Sequence, residues 1–102
     1  MKLDIQSIRF DADQKLIDHI EKKASKLDKY FDNIISGQVF LKLEKSEDRM
    51  NKNVEIRLEV PGNDLFASKR ASTFEEASDE AIDALTRQVK KLKEKLKASR
   101  DA

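Results

Sequence analysis

Between residues 53 and 60 the sequence reads NVEIRLEV, with an apolar side chain at every second position. Val54, Ile56, Leu58 and Val60 share one face of a strand, and Glu55, Arg57 and Glu59 share the other. Pro61 and Gly62 end the run, and the PGND they open is strong turn chemistry. A strand with one wet and one dry face needs neighbours in a sheet and a second layer against its dry side. This stretch therefore selects a layered fold, and the rest of the chain must supply the layers.

The other segments fall into the same scheme. KLDIQSIRF near the start has Leu3 and Ile5 in one parity and Ile8 and Phe10 in the other, which reads as a strand with a bulge or an early end near Ser7. Asp11 is the expected cap of the first helix, with Gln14 as its capping-box partner. Leu16, Ile20, Ala24, Leu27 and Phe31 then recur at helical spacing. In IISGQVFLKLEK the period returns to two, with Val39, Leu41 and Leu43 alternating with Phe40, Lys42 and Glu44. LFASKRA reads as a short strand of undetermined parity. Thr73 and Glu76 form a capping box ahead of a last helix from Phe74 to about Lys97. Its stripe is Phe74, Ala77, Ala81, Leu85, Val89, Leu92 and Leu96.

The expected order is β-α-β-β-β-α, an α+β fold. The three consecutive strands have short connections and should form an antiparallel meander. Two helices packed side by side on one face of a four-stranded sheet satisfy every apolar face. At 102 residues the chain is expected to be one domain, 1–102.

Composition removes several functions. There is no cysteine, so disulfides and thiolate chemistry are absent. The N-terminus has no signal-like apolar core, and no apolar run approaches the ~20 residues that span a bilayer, so the expected location is cytoplasmic, without a membrane partner. The one histidine, His19, flanks the first helix's apolar stripe without marked partners and reads as a partly exposed helical residue. Glu75, Glu76, Asp79, Glu80 and Asp83 cluster as a cation site would, but acids also favour the positive end of a helix. Gly37 and Gly62 are isolated, so no phosphate-cradling loop is present. The expectation is a non-enzymatic protein without metal or cofactor.

The basic residues carry more information. Residues 84–100 hold seven basic side chains and one acidic, a net +6, although the whole chain is only +1. At 100° per residue Lys15, Lys22, Lys26 and Lys29 fall in one narrow sector of the first helix, off its apolar stripe. Arg87, Lys90, Lys91 and Lys97 lie off the stripe of the last helix. Two adjacent helices would then present cations outward, either as solvated faces or as a surface for a polyanion. The concentrated C-terminal charge favours phosphate.

Three stretches also resemble the ribosome hibernation-promoting factors, also called ribosome-associated inhibitors or ribosomal subunit interface proteins. ASKLDKYFDNI is similar to the end of their first helix. EVPGNDLFAS followed by AIDALTRQVKKLKEK is similar to their third strand, turn, fourth strand and second helix. The resemblance covers essentially the whole chain, in its short form. It implies binding to the small ribosomal subunit and its ribosomal RNA, in the groove used by messenger and transfer RNA, which silences the ribosome when growth slows. It carries RNA contacts to Lys26, Lys29, Arg87, Gln88, Lys91 and Lys95; helix geometry adds Lys22, Lys90 and Lys97. One departure is TFEEASD, where Glu75 replaces the family's aromatic.

Two other readings compete. A stand-alone double-stranded RNA-binding protein would share the layers, but this chain begins with a strand, and its basic density lies late in the last helix. A helix-mediated protein interaction module would use Leu85, Val89, Leu92 and Leu96, which span less than two heptads. That shortness favours a monomer off the ribosome.

Overall fold

The computed structural model describes residues 1–45 and 47–101, and of 98–101 the backbone only. Its elements are β1 (Lys2–Ile8), α1 (Gln14–Ala24), α2 (Leu27–Tyr30), β2 (Ser36–Leu43), β3 (Lys52–Val60), β4 (Asn63–Ala71) and α3 (Phe74–Asp101). The strands form one sheet in the order β1-β2-β3-β4. β2, β3 and β4 are the expected antiparallel meander. β1 is parallel to β2, because the helical segment between them carries the chain back across the sheet. The α+β architecture is as the sequence predicts. No helix among the described residues is long and apolar enough to cross a membrane.

The dry face of the sheet is built from Val39 and Leu41 of β2, Val54, Ile56, Leu58 and Val60 of β3, and Leu65, Ala67 and Ala71 of β4. Leu16, Ile20, Ala24, Leu27 and Phe31 close it from one helical side. Ala77, Ala81, Ile82, Leu85 and Val89 of α3 close it from the other. The parity of β4 follows from its register, which sets Leu65 opposite Leu58 and Ala67 opposite Ile56. Gly37 in β2 marks a close approach. A Cβ there would lie 2.9 Å from the Leu3 Cδ1 and 3.2 Å from the Leu58 Cδ2.

The first strand ends early, close to Ser7 as expected, and three other local expectations need correction. β1 runs to Ile8, and its parity changes through Arg9, which takes a left-handed φ of 72°. That conformation costs roughly 1–2 kcal/mol for a residue with a Cβ. It also turns Phe10 back toward the core, where its ring stacks on Phe74 at 4.6 Å. The cap of α1 is Asp13, not Asp11: the Asp13 carboxylate accepts from the Leu16 amide at 2.8 Å. Gln14 begins the helix, and its amide donates forward to Asp18 at 2.8 Å.

The first helix is also not continuous to Phe31. After Ser25 the backbone bonds become i to i−3, with the Lys26 amide on the Lys23 carbonyl, the Asp28 amide on the Ser25 carbonyl and the Lys29 amide on the Lys26 carbonyl. The Ser25 hydroxyl donates to the Lys22 carbonyl at 2.7 Å, which helps end α1. A 3.0-residue turn adds about 20° of rotation per residue, so Lys29 turns away from the sector that a uniform helix would give it. Finally, Leu96 is 45% exposed. α3 has 28 residues, about 42 Å at 1.5 Å each, while the longest strands have nine, about 30 Å. The helix outruns the sheet, and the apolar stripe ends at the half-buried Leu92. The Thr73 cap is as expected, with its hydroxyl accepting from the Glu76 amide at 3.1 Å.

Leu85 is fully buried. Leu85→Ala should lower unfolding free energy by about 2–5 kcal/mol, whereas Leu96→Ala should change it by less than about 1 kcal/mol. Urea titration of both variants checks the contrast.

Candidate nucleic-acid interface

The two helical arms are joined at both ends by polar contacts. At one end His19 Nε2 lies 2.8 Å from Asp79 Oδ1, and Lys23 Nζ lies 3.4 Å from the same oxygen and 3.8 Å from Asp83 Oδ1. At the other end Lys90 Nζ stands 4.9 Å from the centre of the Tyr30 ring. Asp79 and Asp83, two of the acids that suggested a cation site, are thus engaged by α1. Glu75 and Glu76 sit in the first turn of α3, where negative charge meets the helix's positive end.

Lys22, Lys26 and Lys29 are exposed on the α1–α2 arm, and Arg87, Lys90, Lys91, Lys95 and Lys97 are exposed on α3. Among the described residues none of these eight forms an ion pair. Gln88 is placed differently. Its side-chain amide donates to the Phe66 carbonyl of β4 at 2.9 Å, occupying a backbone acceptor of the edge strand. Arg100, part of the basic tail, has no described side chain.

The open face of the sheet is electrostatically different. Register places Lys2, Lys42, Arg57 and Arg70 there with Asp4, Glu55, Glu59 and Asp64. These charges balance, and several pair: Lys42 with Glu55 at 2.8 Å, and Arg57 with Asp64 at 3.6 Å. Arg70 lies 3.9 Å from Glu44. A polyanion meets largely paired charge on the sheet, and on the helices a set of exposed cations that have no ion pair among the described residues, with Glu21 and Glu94 nearby.

Sequence reasoning missed two neighbours of this surface. Tyr30 is 39% exposed, although it directly precedes the buried Phe31. Lys93 is exposed and lies three residues after Lys90 and four before Lys97, the spacing that puts side chains on one helix face. That spacing was the available signal for Lys93; the pairing of Tyr30 with Lys90 had none.

Residues 3–97 match the family described as Sigma 54 modulation protein / S30EA ribosomal protein. The chain belongs to this family. It is 33% identical over 95 residues to the ribosome hibernation promoting factor of Pseudomonas putida, covering 93% of this chain and 89% of that protein. The crystal structure of the Thermus thermophilus Protein Y N-terminal domain matches it with a TM-score of 0.79 at 26% identity, over 90% of this chain and 99% of that one. A ribosomal subunit interface protein from Coxiella burnetii shares the fold, with a TM-score of 0.81 at 19% identity over 91% and 98% of the two chains. The matched residues include all eight unpaired cations.

Gln88→Ala should remove the bond to the edge strand and lower stability by about 0.5–1.5 kcal/mol. Urea titration, with amide exchange followed along β4, checks it.

Proposed function

We propose that this protein is a ribosome hibernation factor. In this reading it is a non-enzymatic module that acts in the cytoplasm, without cofactor. It is a monomer off the ribosome and binds the small ribosomal subunit in the decoding groove. Lys22, Lys26 and Lys29 from one arm, and Arg87, Lys90, Lys91, Lys95 and Lys97 from the other, meet ribosomal RNA phosphates. Gln88 supports this surface by tying α3 to β4.

One observation carries the reading: the eight helix cations named above are exposed and without an ion pair among the described residues, while Lys42, Arg57 and Arg70, three of the four cations of the sheet face, have carboxylate partners. An unpaired lysine on a surface already crowded with lysines gains most from a partner with closely spaced negative charges. RNA is such a partner, and binding it releases counterions. The family match and the relatives named for ribosome hibernation and for the ribosomal subunit interface supply the source of that RNA.

The test separates charge from fold. Replacing Lys26, Lys29, Arg87 and Lys91 with Gln removes four exposed charges and, among the described residues, no ion pair. Each such residue contributes at most about 1 kcal/mol to stability, so the thermal midpoint should stay close to the parent's. Co-sedimentation of the parent with ribosomes should weaken steeply with salt, with a log–log slope near −4.5 if about five phosphates are neutralised. The variant's slope should be shallower by up to about 3.6. It should also lose inhibition of cell-free translation. Unchanged inhibition and slope would mean that the helix cations are a solvated surface. Equal affinity for plain duplex RNA would instead support a general double-stranded RNA binder.

A further inference from the structure

The end of α2 and the last turns of α3 enclose an open cleft of about 480 Å³, lined by Tyr30, Asp32, Asn33, Lys93, Leu96 and Lys97, with Phe31 beneath. The volume falls in the range of sites that hold small organic groups. Its chemistry is mixed in a specific way. Tyr30 offers an exposed ring and Leu96 an exposed apolar side chain. Lys93 and Lys97 offer ammonium groups without ion pairs among the described residues. The Asp32 carboxylate and the Asn33 amide likewise have no hydrogen-bond or ion-pair partner among the described residues. A cation already rests on the Tyr30 ring, with Lys90 Nζ 4.9 Å from its centre.

These groups are what an unstacked nucleotide needs: an aromatic platform and apolar edge for the base, ammonium groups for the phosphate, and a polar end to read the base edge. A purely electrostatic surface would need neither the platform nor the carboxylate. A free carboxylate opposes phosphate and accepts N–H donors, and guanine presents two on one edge, N1–H and N2–H. We infer that this cleft takes one unstacked guanine nucleotide, its base on Tyr30 and its phosphate on Lys93 and Lys97, with Asp32 accepting from the base edge. The inference rests on the ribosome-binding reading for its source, a splayed-out nucleotide of an RNA strand. A free guanine nucleotide presents the same chemistry.

Tyr30 is the only tyrosine in the chain, so its ring protons are an unambiguous probe. Three ligands distinguish the outcomes: the single strand UUUGUUU, the strand UUUUUUU and GMP. UUUGUUU should shift the Tyr30 ring resonances upfield and bind more tightly than the uridine strand. Tyr30→Phe should keep this binding, and Tyr30→Leu should weaken it roughly tenfold. Asp32→Asn should reduce the preference for guanine. The double change Lys93→Gln and Lys97→Gln should flatten the salt slope by up to about 1.4, while Tyr30→Leu should leave it unchanged. On ribosomes Tyr30→Leu should weaken co-sedimentation without changing its salt slope. Thermal midpoints verify that each variant is folded. Tyr30 resonances that ignore every ligand, or a Tyr30→Leu variant that binds like the parent, would overturn the inference, even if ribosome binding stays steep in salt. Loss of the ribosome reading alone would appear as a parent that fails to co-sediment although UUUGUUU still shifts Tyr30. GMP binding as tightly as UUUGUUU would overturn the RNA strand as the source.

Discussion

The fold depends on covering a single apolar sheet face. Val39, Leu41, Val54, Ile56 and Leu58 are essentially without solvent contact, and Leu85, Val89 and Ile20 are the helical side chains that exclude it. Each of these large side chains contributes about 1.5–3 kcal/mol through burial alone, so both helices are fixed in rotation by what they must bury. That constraint has an electrostatic consequence. A helix that commits one stripe to the core must turn its other side chains outward, and from Lys22 to Lys29 and from Arg87 to Lys97 the exposed ones are mostly lysine and arginine, with Glu94 among them.

Charge is therefore sorted by layer. On the open sheet face charges of both signs are interspersed and several pair diagonally across strands, which suits a surface that only meets water. Between the helices, His19 and Lys23 both meet Asp79 and join the arms. On the outer side of the arms positive charge accumulates without ion pairs among the described residues. It is held there at a small cost in repulsion, and α3 projects it beyond the end of the sheet. The proposed RNA contacts and the nucleotide cleft both lie on this side, the cleft where Leu96 leaves the core.

How much of this could be read from the sequence depended on how far burial dictates residue type. The strand faces of 54–60 and the helical run Leu16 to Phe31 were legible, because periods of two and 3.6 are imposed directly by the core. The left-handed Arg9 was not, since neither glycine nor asparagine marks it, and only the parity change of Ile8 and Phe10 hinted at it. The tightened turn at Ser25 and Lys26 uses residues compatible with an ordinary helix, so nothing local announces it. Leu96 reads as core in a periodic pattern because a pattern does not know where the sheet ends. The outward cations of the site were legible as residues off a stripe. Gln88 was not separable from them, because its partner is a backbone carbonyl 22 residues away. The Tyr30 cleft, made by two segments distant in sequence, required the tertiary structure.

The central claim is that the helix layer, and not the sheet, meets the ribosome. Lysine acetylation of the protein, alone and bound to small ribosomal subunits, followed by mass spectrometry of each lysine, tests it most directly. Lys26, Lys29, Lys90, Lys91 and Lys95 should be protected in the complex, while Lys2 and Lys42 on the open sheet face keep their free reactivity. Protection of Lys2 and Lys42 with unchanged reactivity along α3 would contradict the account.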